Sequence, residues 1–168
     1  MRIRKTSHYI LRDFKGRMPS DASAAAADMQ QIQFNHYVAF VCLLFHPQEQ
    51  KLYCGLTAYN GDVLAKFDPQ RKCFETLDYR QVAEPFEVKV HRSLELAADG
   101  TIYGATSCLY SLDQRLQAPG GSLFRIQPGS NRPEKMAIPV KHDYIQTITL
   151  DDRRRIIYGL TYPVFKFF

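Results

Sequence analysis

From Phe34 onward the chain alternates short apolar runs with polar turns, and three stretches follow one pattern. Cys42-Leu43-Leu44-Phe45 leads through a polar turn to Leu52-Tyr53-Cys54-Gly55-Leu56-Thr57. Ser93-Leu94-Glu95-Leu96 leads through Asp99-Gly100 to Ile102-Tyr103-Gly104-Ala105-Thr106. Thr147-Ile148-Thr149-Leu150 leads through Asp151-Asp152 to Ile157-Tyr158-Gly159-Leu160-Thr161. β-Branched and aromatic residues on both sides of a polar turn predict a hairpin in each. Asp99-Gly100 predicts a tight type I′ turn, whose two central residues both need positive φ. Gly55, Gly104 and Gly159 stand 49 and 55 residues apart.

Further strands follow two of these hairpins. Asn60-Gly61 precedes Val63-Leu64-Ala65-Lys66-Phe67-Asp68-Pro69, and Gly120-Gly121 precedes Ser122-Leu123-Phe124-Arg125-Ile126-Gln127-Pro128, position for position. A fourth strand is expected at Cys73 to Leu77 and at Lys135 to Ile138, and a third strand of the last unit at Val164 to Phe168. The units then span about 34–84, 85–140 and 141–168. Residues 1–33 read differently, as a leader with a strand over 8–14 and a helix over 21–33. There Ser20 or Asp21 can cap an alanine-rich run of high helix propensity, and a mobile leader is the alternative.

Four antiparallel strands recurring about every fifty residues are the pattern of a β-propeller blade, whose small sheet needs neighbours to cover its two faces. The expected fold is thus all-β, a partial β-propeller of two complete four-stranded blades and part of a third. Tyr-Gly-Leu-Thr at 158–161, Gly-Ser-Leu-Phe-Arg-Ile-Gln-Pro at 121–128 and Asp-Val-Leu-Ala-Lys-Phe-Asp-Pro at 62–69 resemble blades of the broad propeller superfamily with lactonase-like, streptogramin-lyase-like and quinoprotein-like members. The chain has no tryptophan where quinoprotein blades usually carry one, and no Trp-Asp ending. The resemblance covers residues 34 to 168 and implies a ligand at the mouth of a central channel. Two to three blades leave a face open, so the chain reads as a fragment of a longer propeller or as one that completes its ring by self-association.

Composition adds bounds. An apolar fraction of 45% and a charged fraction of 23% fit a globular chain, and 10 Tyr with 11 Phe suit pleated sheets. The net charge of +5 is scattered along the chain, which argues against nucleic acid as the partner. Arg153 to Arg155 read as a solvated hairpin turn. Cys42, Cys54, Cys73 and Cys108 show no metal spacing and read as structural thiols. Polar residues from Thr6 to Lys15 interrupt any signal-peptide core, and no apolar run is long enough for a membrane helix, so a cytoplasmic chain without a membrane partner is expected.

The candidate site lies where the innermost strand of each unit begins. Aligning Leu96 with Phe45 and Leu150 places His91 opposite Phe40 and Ile145, with Arg92 beside it. His36, Tyr37, His142, Asp143, Tyr144 and Gln146 fall at or before the same strands. Converging imidazoles could hold a divalent metal or exchange protons near neutral pH, with His91 the foremost candidate. The plainer reading is a partly exposed loop histidine with one hydrogen bond. His46, before Pro47, is expected to face solvent. Alternation sends Glu95 to the face opposite Leu94 and Leu96, while Asp68 and Asp99 read as turn residues. The long connection from Ser107 to Gly120 carries Tyr110, Asp113, Gln114 and Arg115, which could contact a polar or sugar-like ligand, or it is a surface insertion. The ligand-binding candidates are therefore His91, Arg92, Tyr144, Gln146, His36, Tyr110 and Arg115. No cofactor is predicted beyond that divalent metal. The expected function is a module that binds a small molecule, a carbohydrate or a protein, with a lactonase- or lyase-type enzyme as the alternative.

Overall fold

A computed structural model describes residues 38–59, 61–84, 86–108 and 112–168. The leader over 1–33, together with His36, Tyr37 and Tyr110, lies outside the described residues. Within them the chain is all-β, with antiparallel sheets and no α-helix. The first unit runs β1 (Val38–His46), β2 (Lys51–Ala58), β3 (Leu64–Asp68) and β4 (Cys73–Thr76), each paired with the next. Two short strands, β5 (Glu87–Lys89) and β8 (Ser107–Cys108), extend that sheet. The second unit is a meander of β6 (Leu94–Leu96), β7 (Ile102–Ala105), β9 (Leu123–Ile126) and β10 (Pro133–Ala137). β11 (Tyr144–Asp151) and β12 (Ile156–Tyr162) form the third hairpin. The segment 166–168 lies along β12: Thr161 N donates to Lys166 O at 2.9 Å, and Gly159 and Phe168 exchange bonds of 2.9 and 3.0 Å.

Register shows which positions correspond. Tyr103 faces Arg125 and Gly104 faces Phe124, as Tyr53 faces Lys66 and Cys54 faces Ala65. Cys54, rather than Gly55, therefore stands in the place of Gly104. The reason is volume: a Cβ on Gly104 would lie 2.1 Å from the Phe124 ring, and one on Gly159 would lie 2.2 Å from the Phe168 ring. Where the facing residue is the small Ala65, a thiol fits.

The Asp99-Gly100 turn also differs from the type I′ expectation. Gly100 has φ 89°, but Asp99 is not among the positive-φ residues; Gly100 N donates to Ala97 O at 3.0 Å, and Asp99 Oδ1 accepts Thr101 N at 2.8 Å. A single left-handed residue ends the loop, as in the wider hairpins that close with a bulge. Gln50 and Arg155, each with φ 56°, take the same place in the other two hairpins.

Successive units pack face to face. Tyr53 and Leu64 of the first unit meet Ile102, Phe124 and Ile126 of the second, with Tyr79 and Val90 between them. Ala105 and Leu123 of the second meet Ile145, Ile148 and Phe168 of the third. Equivalent backbone bonds mark both junctions: Val90 N to Leu56 O at 2.9 Å and Ile145 N to Thr106 O at 3.3 Å. β1 touches β6, and β6 touches β11. His46 is 1% exposed, against the expectation of a solvent-facing turn residue. Its Nδ1 accepts from Glu49 N at 3.2 Å, so Nε2 carries the proton and donates to Gly100 O at 2.9 Å, tying the first hairpin to the second. A buried ring with both nitrogens satisfied carries little cost.

Candidate functional site

The connections that start β6 and β11 lie together at one end of the stack. Val90 and Ile145 turn their apolar side chains into the two junctions, because each amide bonds the preceding sheet while its side chain fills the core. By that bond Val90 stands in the place of Ile145, and His91 is displaced outward by one residue. Arg92, at φ 46°, absorbs the displacement in a left-handed backbone conformation. The same region is pinned by Ser93 Oγ donating to His91 O at 2.6 Å and by Thr147 Oγ1 donating to Arg92 O at 3.1 Å.

His91 Nδ1 donates to Gln146 O at 3.0 Å, which leaves the other ring nitrogen as the acceptor of a neutral imidazole. Burial lowers its pKa, and the charges of Lys89 and Arg92 lower it further, while the bond to Gln146 opposes them. Burial, then Arg92, likewise lowers the pKa of Lys89. Lys89 is placed by β5, whose pairing with Thr57 and Ser107 fixes it at the seam between units. Lys89 and His91 are half-buried and Arg92 is exposed beside them, and among the described residues no ion pair involves any of the three. Three nitrogen-bearing side chains thus gather without a carboxylate partner.

Tyr144 and Arg115 belong to a second group. Arg115 Nη1 lies 3.5 Å from Asp143 Oδ1, and Lys166 Nζ lies 3.3 Å from Oδ2, which also accepts from Thr161 Oγ1 at 3.3 Å. The Asp143 side chain is buried and its Oδ1 has no hydrogen bond. Arg115 therefore fastens the 3-10 turn Leu112–Gln117 to the start of β11. The Tyr144 ring packs 5.0 Å from Tyr162, and His142 Nδ1 bonds Ala118 O at 2.9 Å.

Compared with known proteins, the chain matches no family model and no curated protein. Chemistry at the site must be read from its own residues.

Among the described residues no group of three or more His, Cys, Asp or Glu could share a metal ion. Lys89 and Arg92 also oppose a divalent cation at His91, since like charges in a partly desolvated site repel strongly. The same pair favours an anion. Lys89 is the residue that the sequence reading missed; its signal was alternation within a three-residue strand, too short to carry a period. A separate cleft of about 270 Å³ lies at the opposite end, between the second and third units, lined by Ala98, Asp99, Tyr103, Asp152 and Arg155. Its charges answer one another, with Asp152 Oδ2 accepting Ala98 N at 2.8 Å and Arg155 lowering the pKa of Asp99 after that residue's bonds to Thr101.

Proposed function

We propose that this chain is a ligand-binding module of the β-propeller type whose polar end takes a small anion bearing a carboxylate or phosphate group. The propeller reading is supported by the order of contacts: β1, β6 and β11 neighbour one another in turn, and each sheet is laid outward from its own innermost strand. The anion reading rests on one observation, the gathering of Lys89, His91 and Arg92 without an ion-pair partner among the described residues. Of the three, Lys89 is the half-buried cation, and one left without a counter-charge is costly unless a ligand supplies it; Arg92, exposed beside it, adds positive charge at the mouth.

Binding of inorganic phosphate and of a small dicarboxylate, followed by calorimetry, tests the reading. Lys89→Ala and Arg92→Ala should each weaken binding about tenfold, the equivalent of roughly 1.4 kcal/mol for a lost charge-assisted bond. Affinity should rise as the pH falls, because His91 is neutral near pH 7 and an anion favours its protonated form. Unchanged affinity in both variants rejects the site.

An enzyme acting on a small molecule or carbohydrate is the second reading. It is favoured by His91 alone, a neutral imidazole with one nitrogen fixed on Gln146 O and the other free to take a proton. Phosphate binding with no turnover of lactones would leave the binding module standing.

A further inference from the structure

The positions that join one unit to the next are present, and open, at the two ends of the stack. Each junction has a leading surface, borne by the innermost strand, and a trailing surface on the sheet before it. On the leading side, Leu94 faces Gly104 and Leu96 faces Ile102 in the pairing of β6 with β7, and both leucines pack toward the first unit. Ile148, facing Gly159 in the third unit, is buried against Ala105. The corresponding residues of the first unit are Leu43, facing Cys54, and Phe45, facing Leu52, and they are 60% and 51% exposed. Phe40, on the same strand, is 47% exposed. Elsewhere on that face Cys54, Leu56 and Ala65 are buried, so the open patch is confined to β1.

On the trailing side the pattern is the same. Gly55 pairs with Leu64, and a Cβ there would touch Val90; Ala105 pairs with Leu123, and both pack against the third unit. The third unit has Leu160 bridged to Phe167 at this place, exposed 42% and 69%, with Phe167 stacked on Tyr158. Leu43 and Phe45 at one end and Leu160 at the other are thus exposed where their counterparts Leu94, Leu96 and Ala105 are packed, while Cys54, Leu56 and Ala65 stay buried beneath β1. A contiguous patch of this kind on a sheet face marks an interaction surface.

We propose that the Leu160/Phe167 surface receives the Phe40/Leu43/Phe45 surface of a second copy of this chain, and that two copies close head to tail. The occupant follows from continuity with the internal junctions: the exposed trio sits where the chain's own docking residues sit, on the strand that carries the β1–β6 and β6–β11 contacts. Such a heterologous contact closes when its rotation returns to the start. Two copies supply six sheets, and propeller rings use roughly four to eight. The closure rests on the propeller reading above, but not on what the polar end binds, so anion affinity and assembly can fail separately.

Light scattering on a size-exclusion column over about a hundredfold range of protein concentration reads the assembly. The expected species has twice the 19.4 kDa chain mass. Leu43→Glu and Leu160→Glu, both at exposed positions, should each give a folded monomer with the parent's far-ultraviolet circular-dichroism spectrum and a cooperative melt at lower temperature, since assembly no longer stabilises it. An equimolar mixture of the two variants should recover a dimer, because one sound surface remains on each. A monomeric parent, or a dimer that neither substitution weakens, overturns the proposal. A dimer broken by only one of the two substitutions would mean a face meeting its own copy, and a ladder of larger species would mean an open filament; either overturns closure, as does the absence of any dimer on mixing.

Discussion

Asp62 lies between β2 and β3, nine-tenths buried, with its carboxylate accepting Leu64 N at 3.4 Å and Tyr79 N at 3.1 Å. Burial raises its pKa to about 6, and the bonds from Leu64, Val63 and Tyr79 only partly offset it. The folded chain therefore binds the proton more tightly than the unfolded one, whose value is near 3.8. Its contribution to stability is present below that lower value and is lost as the pH rises through about 6. Asp62→Asn should remove that slope, worth on the order of 2 kcal/mol between the two limits. Urea melts at pH 4 and pH 7 check this, and a slope that survives the substitution assigns the effect elsewhere. Burial likewise pushes the Cys54 thiol up to about 12, consistent with a thiol that packs rather than reacts. Single residues were the least legible part of the sequence. His46 reads as a turn residue because it precedes Pro47, and its burial goes with contacts the local sequence does not announce: the Tyr53 ring 5.9 Å away and Gly100 O, 54 positions along the chain.

At the scale of elements, period-two alternation showed the three hairpins and the strands after two of them, because a half-buried strand must send alternate side chains to opposite faces. Ends shifted by a residue or two, as at β10, which starts at Pro133 rather than Lys135. β5 and β8 went unread, since two or three residues carry no period. The alignment on Gly55 was one position off because the glycine follows the shared tyrosine directly in β7, as Tyr103-Gly104, but after one further residue in β2, as Tyr53-Cys54-Gly55. The exchange of Gly104 with Phe124 for Cys54 with Ala65 makes the correspondence testable. Gly104→Cys alone should cost about 2–3 kcal/mol from overpacking against the ring. With Phe124→Ala added, the total should fall short of the two single costs by on the order of 1–3 kcal/mol. Strict additivity in chemical denaturation would separate the two positions.

For the molecule as a whole, face-to-face packing makes each unit depend on its neighbours. The cores at the two junctions draw side chains from both sides, and Glu87 is held across units by Thr106 Oγ1 at 2.7 Å and Lys135 Nζ at 3.2 Å. Nearest-neighbour stacks lose cooperativity only when the interfaces are weak relative to the units. Thermal unfolding followed by far-ultraviolet circular dichroism and by tyrosine fluorescence should therefore coincide in one transition. Two separated transitions would mean that one junction gives way first.

The placement of β5 gives the stack its character as joinery. By chain order β5 falls on the second unit's side of residue 84, yet it bonds Thr57 of the first sheet and Ser107 of the connection beyond β7. The seam is a lap joint rather than a butt joint: the tiles overlap, and the overlap is covalently part of one while seated in the other. A cut at residue 84 would leave a bare rebate on one piece and a loose tongue on the other. An excised unit would have to carry its overlapping tongue along, so the piece that fits is offset from the visible sheet.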